Sequence, residues 1–190
     1  DQNVFNVIAG LRPSARGDAR RLVRRVRLAL SGLPPAPTEV AASGREARPE
    51  GYGRVVDRRL DSPHFGERWG RHWLDVVRFG ESHGYETNMP RPNAWPYRDY
   101  VIRSFNNDKP YARFVEEQLA GDVLYPDSPE GIVALGFIAA GPWDFVGHAA
   151  LVEGTTDKNL YRSNDPDDMA AAMMCTVTSL TVPSARSPNH

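Results

Sequence analysis

The sequence predicts an all-α protein, an irregular multi-helix domain with two long polar loops. A capping side chain followed by proline, a common start of a helix, occurs at Ser62-Pro63, Ser128-Pro129 and Asp165-Pro166. Each pair precedes a segment whose apolar residues recur every three or four positions, the period of an amphipathic helix. Sixteen prolines and sixteen glycines divide these patterns into short pieces.

The N-terminal part of the chain predicts three helices. The first, Asp18–Leu30, has Asp18 as its cap and one apolar stripe among many arginines. Thr38 is predicted to cap a short second helix after a proline-rich turn. A third helix is predicted from Tyr52 to Leu60, again from helical spacing of apolar residues.

The helix that follows Ser62 is predicted to end near Gly80. Its inner face should be rich in aromatic and branched side chains, namely Phe65, Trp69, Trp73, Val76 and Val77. Residues 81–93 are polar and contain two prolines, so they form the first of the two predicted loops.

The C-terminal half predicts four more helices. The first is Trp95–Asn106, and the second starts at Asp108 and Pro110 and ends in a left-handed cap at Gly121. The third runs from Ser128 to Gly141. A second loop of about two dozen residues should then precede a last helix from Asp165 toward Leu180.

These elements predict a helical domain over residues 18–182, with residues 1–17 as a lead-in. Residues 183–190 combine two prolines with few apolar side chains, so we expect a mobile tail.

Composition narrows the possible partners and cofactors. The net charge of −1 does not favour nucleic acid as a partner. The sequence has no run of about 18 apolar residues, the length needed to cross a bilayer, so no membrane span is predicted. Cys175 is the only cysteine, which excludes an internal disulfide, and its apolar helical setting predicts a buried thiol. The chain opens at Asp1 without the pattern of a signal peptide.

Two groups of residues could bind a metal. The first contains His72 and Asp75, three positions apart on one helix, with His83 or Glu86 completing a zinc-type site from the loop. The spacing matches no defined zinc motif, and an ion-pair ladder of Glu67, Arg71 and Asp75, with His72 beside Trp69 and Trp73, is the favoured alternative.

The second group is acidic and would suit calcium, which prefers oxygen ligands. It comprises Asp157, Asn164, Asp165, Asp167 and Asp168. Its spacing is not that of an EF-hand. The last three aspartates are equally explained as charges at a helix N-terminus.

Several long segments carry a family resemblance. They are SGLPPAPTEV, RRLDSPHFGERWGRHWLDVVRFGESHGYE, RPNAWPYRDYVIRSFNNDKPYARFVEEQLAGD and ALGFIAAGPWDFVGH. Together they resemble the planctomycete cytochrome-c-associated domain of unknown function, from about Leu22 to the C-terminus. The resemblance implies a periplasmic or secreted protein, joined in its relatives to a cytochrome c module.

The resemblance breaks at the C-terminal segment SLTVPSARSPNH. The family pattern there is similar to Ser-Leu-Thr-Val-His-Cys-Ala-Arg-Cys-His-Asn-His, so Ser184 and Ser187 replace the two cysteines and Pro188 replaces the haem-ligating histidine. Covalent haem c attachment requires both thiols and the imidazole. We therefore expect no haem c, and we interpret the segment as a truncated, degenerate remnant of the motif.

Two function classes stay open at this point. One is an auxiliary extracytoplasmic module of a cytochrome-associated or polysaccharide-degrading system, binding a protein or a glycan. The other is a hydrolase that depends on a calcium-type or zinc-type metal at one of the two groups above.

Overall fold

The protein is all-α, as predicted. The computed structural model describes residues 17–42, 49–83, 88–139, 148–149 and 151–179. Within those ranges the regular structure is helical, apart from an isolated antiparallel bridge between Ser82 and Pro90. Contacts group the chain into two compact units that divide between Asp61 and Ser62, a finer division than the predicted domain over residues 18–182.

The first unit contains helices α1 (Ala19–Ser31), α2 (Pro37–Ala42) and α3 (Pro49–Leu60). Asp18 caps α1 as predicted, accepting a hydrogen bond from the Arg21 N–H at 2.8 Å. This unit has its own small core, which is formed by buried valines of α1 and α3: Val23, Val26 and Val55.

The start of α2 differs from the prediction. The helix begins at Pro37, so Thr38 lies inside it and does not cap it. Proline fits the first helical position because its missing N–H would have no partner there. The Glu39 carboxylate, in the first turn, reaches back and accepts the N–H of Ala36, the residue before the helix, at 2.9 Å.

The second unit contains helices α4 (Pro63–Val76), α5 (Trp95–Asn106), α6 (Tyr111–Leu124), α7 (Pro129–Ala134), α8 (Gly136–Ala139) and α9 (Thr156–Thr178). The α5 boundaries equal the predicted ones. Ser62 and Ser128 occupy the expected N-cap positions, although neither hydroxyl makes a capping hydrogen bond. A core of aromatic and small residues joins these helices, built from Val77, Tyr97, Tyr100, Val101, Phe114, Ala134 and Phe137.

The packing face of α4 agrees with the predicted one only in part: Val77 is buried in the core and Trp73 packs against it, as predicted. Trp69 is 38% exposed and Val76 is 54% exposed, so neither belongs to the core. Glycine sets the contact with α5 instead, since a Cβ on Gly66 would lie 2.3 Å from the Ile102 carbonyl oxygen. The helix ends at Val76 and not near Gly80, because Arg78 adopts a left-handed conformation at φ 58°.

Gly121 does not end α6 as predicted. The helix kinks at Ala120 (φ −151°, ψ 38°) and continues to Leu124. Gly121 is needed for a close approach, because a Cβ there would lie 2.2 Å from the Gly131 carbonyl oxygen. The predicted helix after Ser128 is divided into α7 and α8 at Leu135.

The last helix begins nine residues earlier than predicted. Thr155 caps α9, accepting the Lys158 N–H at 3.3 Å, so Pro166 lies inside the helix and the second loop is shorter than expected. The helix ends before Leu180, because Ser179 is left-handed at φ 58°. Cys175 is exposed, which corrects the predicted buried thiol. The tail at 183–190 lies outside the described residues.

Candidate functional site

The second unit contains a cleft of about 360 Å³ whose walls are mainly aromatic. It opens between α4, α5 and the first turn of α6. Five aromatic and three polar residues form it: Phe65, Trp73, Phe105, Tyr111, Phe114, Ser104, Asp108 and Lys109. A concave, mostly apolar site with a few polar groups at its edge is the usual form of a small-molecule site.

The aromatic wall is organised around Phe114. The Trp73 ring meets it edge-on, with centroids 4.9 Å apart, and the Phe105 ring does so at 5.8 Å. Tyr100 stacks on Phe114 at 5.8 Å from within the core. Edge and stacked contacts at these distances hold the rings in fixed orientations.

Hydrogen bonds behind the wall fix the Trp73 indole. Its Nε1–H donates to Gln118 Oε1 at 2.9 Å and lies 3.1 Å from Tyr97 Oη. Tyr97 Oη donates to the same Gln118 oxygen at 2.6 Å, while the Gln118 amide donates to the Phe114 carbonyl at 2.8 Å. Burial raises the pKa of Tyr97, so its phenol stays protonated and can keep donating. The wall is therefore preorganised.

The polar edge of the cleft comes from the turn between α5 and α6. Asp108 holds a left-handed conformation at φ 47°, which only a few residue types adopt readily. The turn is closed by the Lys109 N–H, which donates to the Ser104 carbonyl at 2.9 Å. Asp108 is exposed, and the Lys109 ammonium lies 4.5 Å from the centre of the Tyr100 ring.

Beneath this edge lies a buried carboxylate, Glu117. It accepts hydrogen bonds from Lys109 Nζ at 2.5 Å, Arg113 Nε at 2.6 Å and Tyr100 Oη at 2.8 Å. Burial alone would raise the pKa of Glu117, but these three donors outweigh it and hold the pKa below its usual value. Glu117 is thus an ionised structural anion that anchors Lys109 at the cleft.

The first predicted metal group is only partly described. His72 and Asp75 are both exposed on α4, and His72 meets the Trp69 ring edge-on at 5.6 Å. That ring contact was expected in the ion-pair alternative, but Glu67 pairs with His64 (2.8 Å) and not with Arg71.

The loop partners of this group are His83 and Glu86. His83 Nδ1 accepts a hydrogen bond from Arg91 Nε at 3.2 Å, which places a cation next to it. Glu86 lies outside the described residues.

The second predicted metal group lies along α9. Asp157 occupies the first turn, whereas Asp165, Asp167 and Asp168 lie mid-helix and so are not N-terminal charges. Eight residues of helix place Asp157 about 12 Å along the axis from Asp165, too far to share one ion. Asp165 Oδ2 instead lies 2.8 Å from His148 Nε2.

No three potential ligands (His, Cys, Asp or Glu) come together for a metal in the described ranges. Because Glu86 lies outside them, the first metal group stays a prediction. No helix in the same ranges is long and apolar enough to cross a bilayer.

No sequence pattern predicted the aromatic cleft. Phe65 and Trp73 were expected on the inner face of one helix, and nothing in their spacing connects them with residues near 105–114. One signal was available: Tyr111 and Phe114, three positions apart, follow a turn rich in Asn and Asp. Only the crossing of α4 and α5 brings these rings together.

Comparison with known proteins identifies the family of the chain. The model of the family PSCyt2, described as a protein of unknown function (DUF1549), matches residues 6–190. Searches of curated proteins and of solved structures found no match.

Proposed function

We propose that the chain, which belongs to the DUF1549 family of proteins of unknown function, is an auxiliary extracytoplasmic binding module. Its system would be cytochrome-associated or polysaccharide-degrading, and the module would bind a glycan without binding haem c. The observation that carries this proposal is the preorganised aromatic cleft around Phe114.

The chemistry of the cleft suits a sugar ring. Sugars have apolar C–H faces that pack on aromatic rings and hydroxyl groups that need polar partners at the edge. Tyr111 is 61% exposed at the mouth, where it can pack on a ligand, and Asp108 and Lys109 supply polar groups beside it. A volume of about 360 Å³ lies within the usual range for small ligands.

The setting of the proposal comes from the sequence. The resemblance to cytochrome-c-associated domains supports an extracytoplasmic location and a redox-linked or polysaccharide-degrading partner system. The replacement of both cysteines by Ser184 and Ser187 supports a module without haem c. Both points stay proposals.

The test is a calorimetric titration with a panel of neutral oligosaccharides. We expect at least one to bind, and Tyr111→Ala to weaken that binding about fivefold or more, the usual effect of truncating an aromatic contact. Tyr52→Ala removes a comparably exposed tyrosine from the first unit and should leave binding unchanged. Binding that is insensitive to Tyr111→Ala would contradict the assignment of the cleft.

One observation favours the alternative, a metal-dependent hydrolase. His148 and Asp165 form a close pair, 2.8 Å apart, with side chains 14% and 25% exposed. A histidine nitrogen and a carboxylate oxygen this close together could both ligate one zinc ion. Stoichiometric calcium or zinc after dialysis, lost in Asp165→Asn but kept in Asp157→Asn, would support the hydrolase. Metal-free protein would contradict it.

A further inference from the structure

The two charged residues that border the aromatic cleft, Asp108 and Lys109, differ in how they are paired. The Lys109 ammonium donates hydrogen bonds to two carboxylates, to Glu117 at 2.5 Å and to Glu130 at 3.0 Å. The Asp108 carboxylate is exposed, and across the described ranges its side chain takes part in no hydrogen bond or ion pair. The protein therefore pairs the cation at this edge and leaves the anion to solvent or to a ligand.

The backbone holds Asp108 at the edge of the cleft. Its N–H donates to the Phe105 carbonyl at 3.2 Å, and the N–H of Lys109 donates to the Ser104 carbonyl at 2.9 Å. These two bonds close the end of α5 and fix the Asp108 backbone beside two residues of the cleft wall. Aspartate and asparagine both tolerate the left-handed conformation seen here, at φ 47°. The charge can therefore be removed without straining the turn.

The aromatic rings of the cleft are steeply inclined to one another. The Trp73 and Phe105 planes lie at 64° and 65° to the plane of Phe114, and Phe65 and Tyr111 complete the aromatic border. The face of an aromatic ring carries the negative end of its quadrupole, so it attracts a cation. Because the walls are inclined, a compact cation can contact more than one of them at once.

These features favour a positively charged ligand group over a negative or a neutral one. A carboxylate on the ligand would meet the like charge of Asp108, and the Lys109 ammonium beside it is already bonded to two carboxylates. A neutral group would gain nothing from the charge of Asp108. An exposed ion pair alone contributes little, so the preference depends on Asp108 and the rings acting on the same group.

We propose that the aromatic cleft is selective for an ammonium group, and that its ligand is an amino sugar. The ammonium lies between the inclined rings and Asp108, and the sugar ring packs on the exposed Tyr111. The selection of an ammonium group follows from the charges and rings of the cleft. The sugar part rests on the proposed glycan-binding function.

The test is calorimetric titration of the full chain with a glucosamine oligomer, the matching N-acetylglucosamine oligomer and choline. At about pH 6 the sugar amines are protonated, so the first oligomer is cationic and the second is neutral. We expect the glucosamine oligomer to bind about tenfold more tightly than the acetylated one. Asp108→Asn should remove most of that difference, because it deletes the charge and keeps the turn.

The matched control is Asp127→Asn. It removes the same charge from an exposed aspartate that does not border the cleft, and it should leave the affinity for each ligand unchanged. Circular dichroism of both variants checks that they are folded.

The three ligands separate the parts of the proposal. Equal binding of the two oligomers, or wild-type affinity of folded Asp108→Asn for the glucosamine oligomer, would overturn the ammonium selection and leave the glycan function intact. Choline, a quaternary ammonium without a sugar ring, would overturn the sugar part by binding as tightly as the glucosamine oligomer. Absence of binding by both oligomers would overturn the amino sugar, and the neutral oligosaccharide panel then tests the glycan function separately.

Discussion

Replacing Glu117 by glutamine tests whether the buried carboxylate supports the cleft. The side chain is 3% exposed and accepts three hydrogen bonds, two of them from cations. Glutamine keeps one acceptor oxygen, but its NH₂ group replaces the second carboxylate oxygen and so faces groups that themselves donate hydrogen bonds. Breaking a buried ion pair costs about 3–5 kcal/mol. We expect the lower end, about 3 kcal/mol, because Lys109 keeps its contact with Glu130 at 3.0 Å.

The assay is thermal unfolding followed by circular dichroism. A loss of about 3 kcal/mol should lower Tm by roughly 9 °C for a chain of this size. Glu116→Gln is the matched control, since it makes the same change at an exposed neighbouring position and should alter stability by less than about 0.5 kcal/mol. Equal melting temperatures for the two variants would refute the reasoning.

The same variant should change the pH dependence of stability. The pKa of Glu117 is lower in the folded protein than in the unfolded chain, so its ionised form stabilises the fold above about pH 4.3. That contribution is lost as the pH falls through the folded-state pKa. Wild-type stability should therefore decrease more steeply in acid than that of Glu117→Gln, and parallel acid profiles would contradict the assignment.

Three further predictions concern packing and cofactor content. Gly66→Ala should lower the free energy of unfolding, measured by chemical denaturation, by about 1–3 kcal/mol, because the new Cβ would overlap the α5 backbone. Gly53→Ala places its Cβ in open space and should raise the free energy of unfolding by up to about 1 kcal/mol. Trp73→Ala should cost about 3–5 kcal/mol, and the more exposed Trp69→Ala clearly less; equal losses would contradict the packing face of α4. Purified protein should show no covalent haem in a pyridine haemochrome assay, and a Soret band that survives acid-acetone extraction would show the interpretation of the Ser-Ala-Arg-Ser segment to be wrong.

Local sequence signals alone determined the helices and many of their ends. Asp18 predicted the start of α1, and proline after Ser62 and Ser128 predicted the starts of α4 and α7. These signals work because caps and prolines act within one turn of the chain. The same reasoning failed at Asp165-Pro166, where Thr155 caps the helix earlier and Pro166 lies within it.

Only the tertiary structure decided which faces pack and where the cleft lies. Periodicity predicted an aromatic inner face for α4, but Gly66 sets the contact with α5 because a backbone approach this close leaves no room for a side chain. Gly121 was predicted to end a helix in a left-handed cap, and it instead allows close contact with the backbone of Gly131. Of the three donors to Glu117, only Arg113 lies on the same helix at a spacing that the sequence shows; Tyr100 and Lys109 come from α5 and the turn, so the burial of Glu117 was not predicted. Periodicity records which residues share a face of one helix, whereas these sites depend on how separate helices meet.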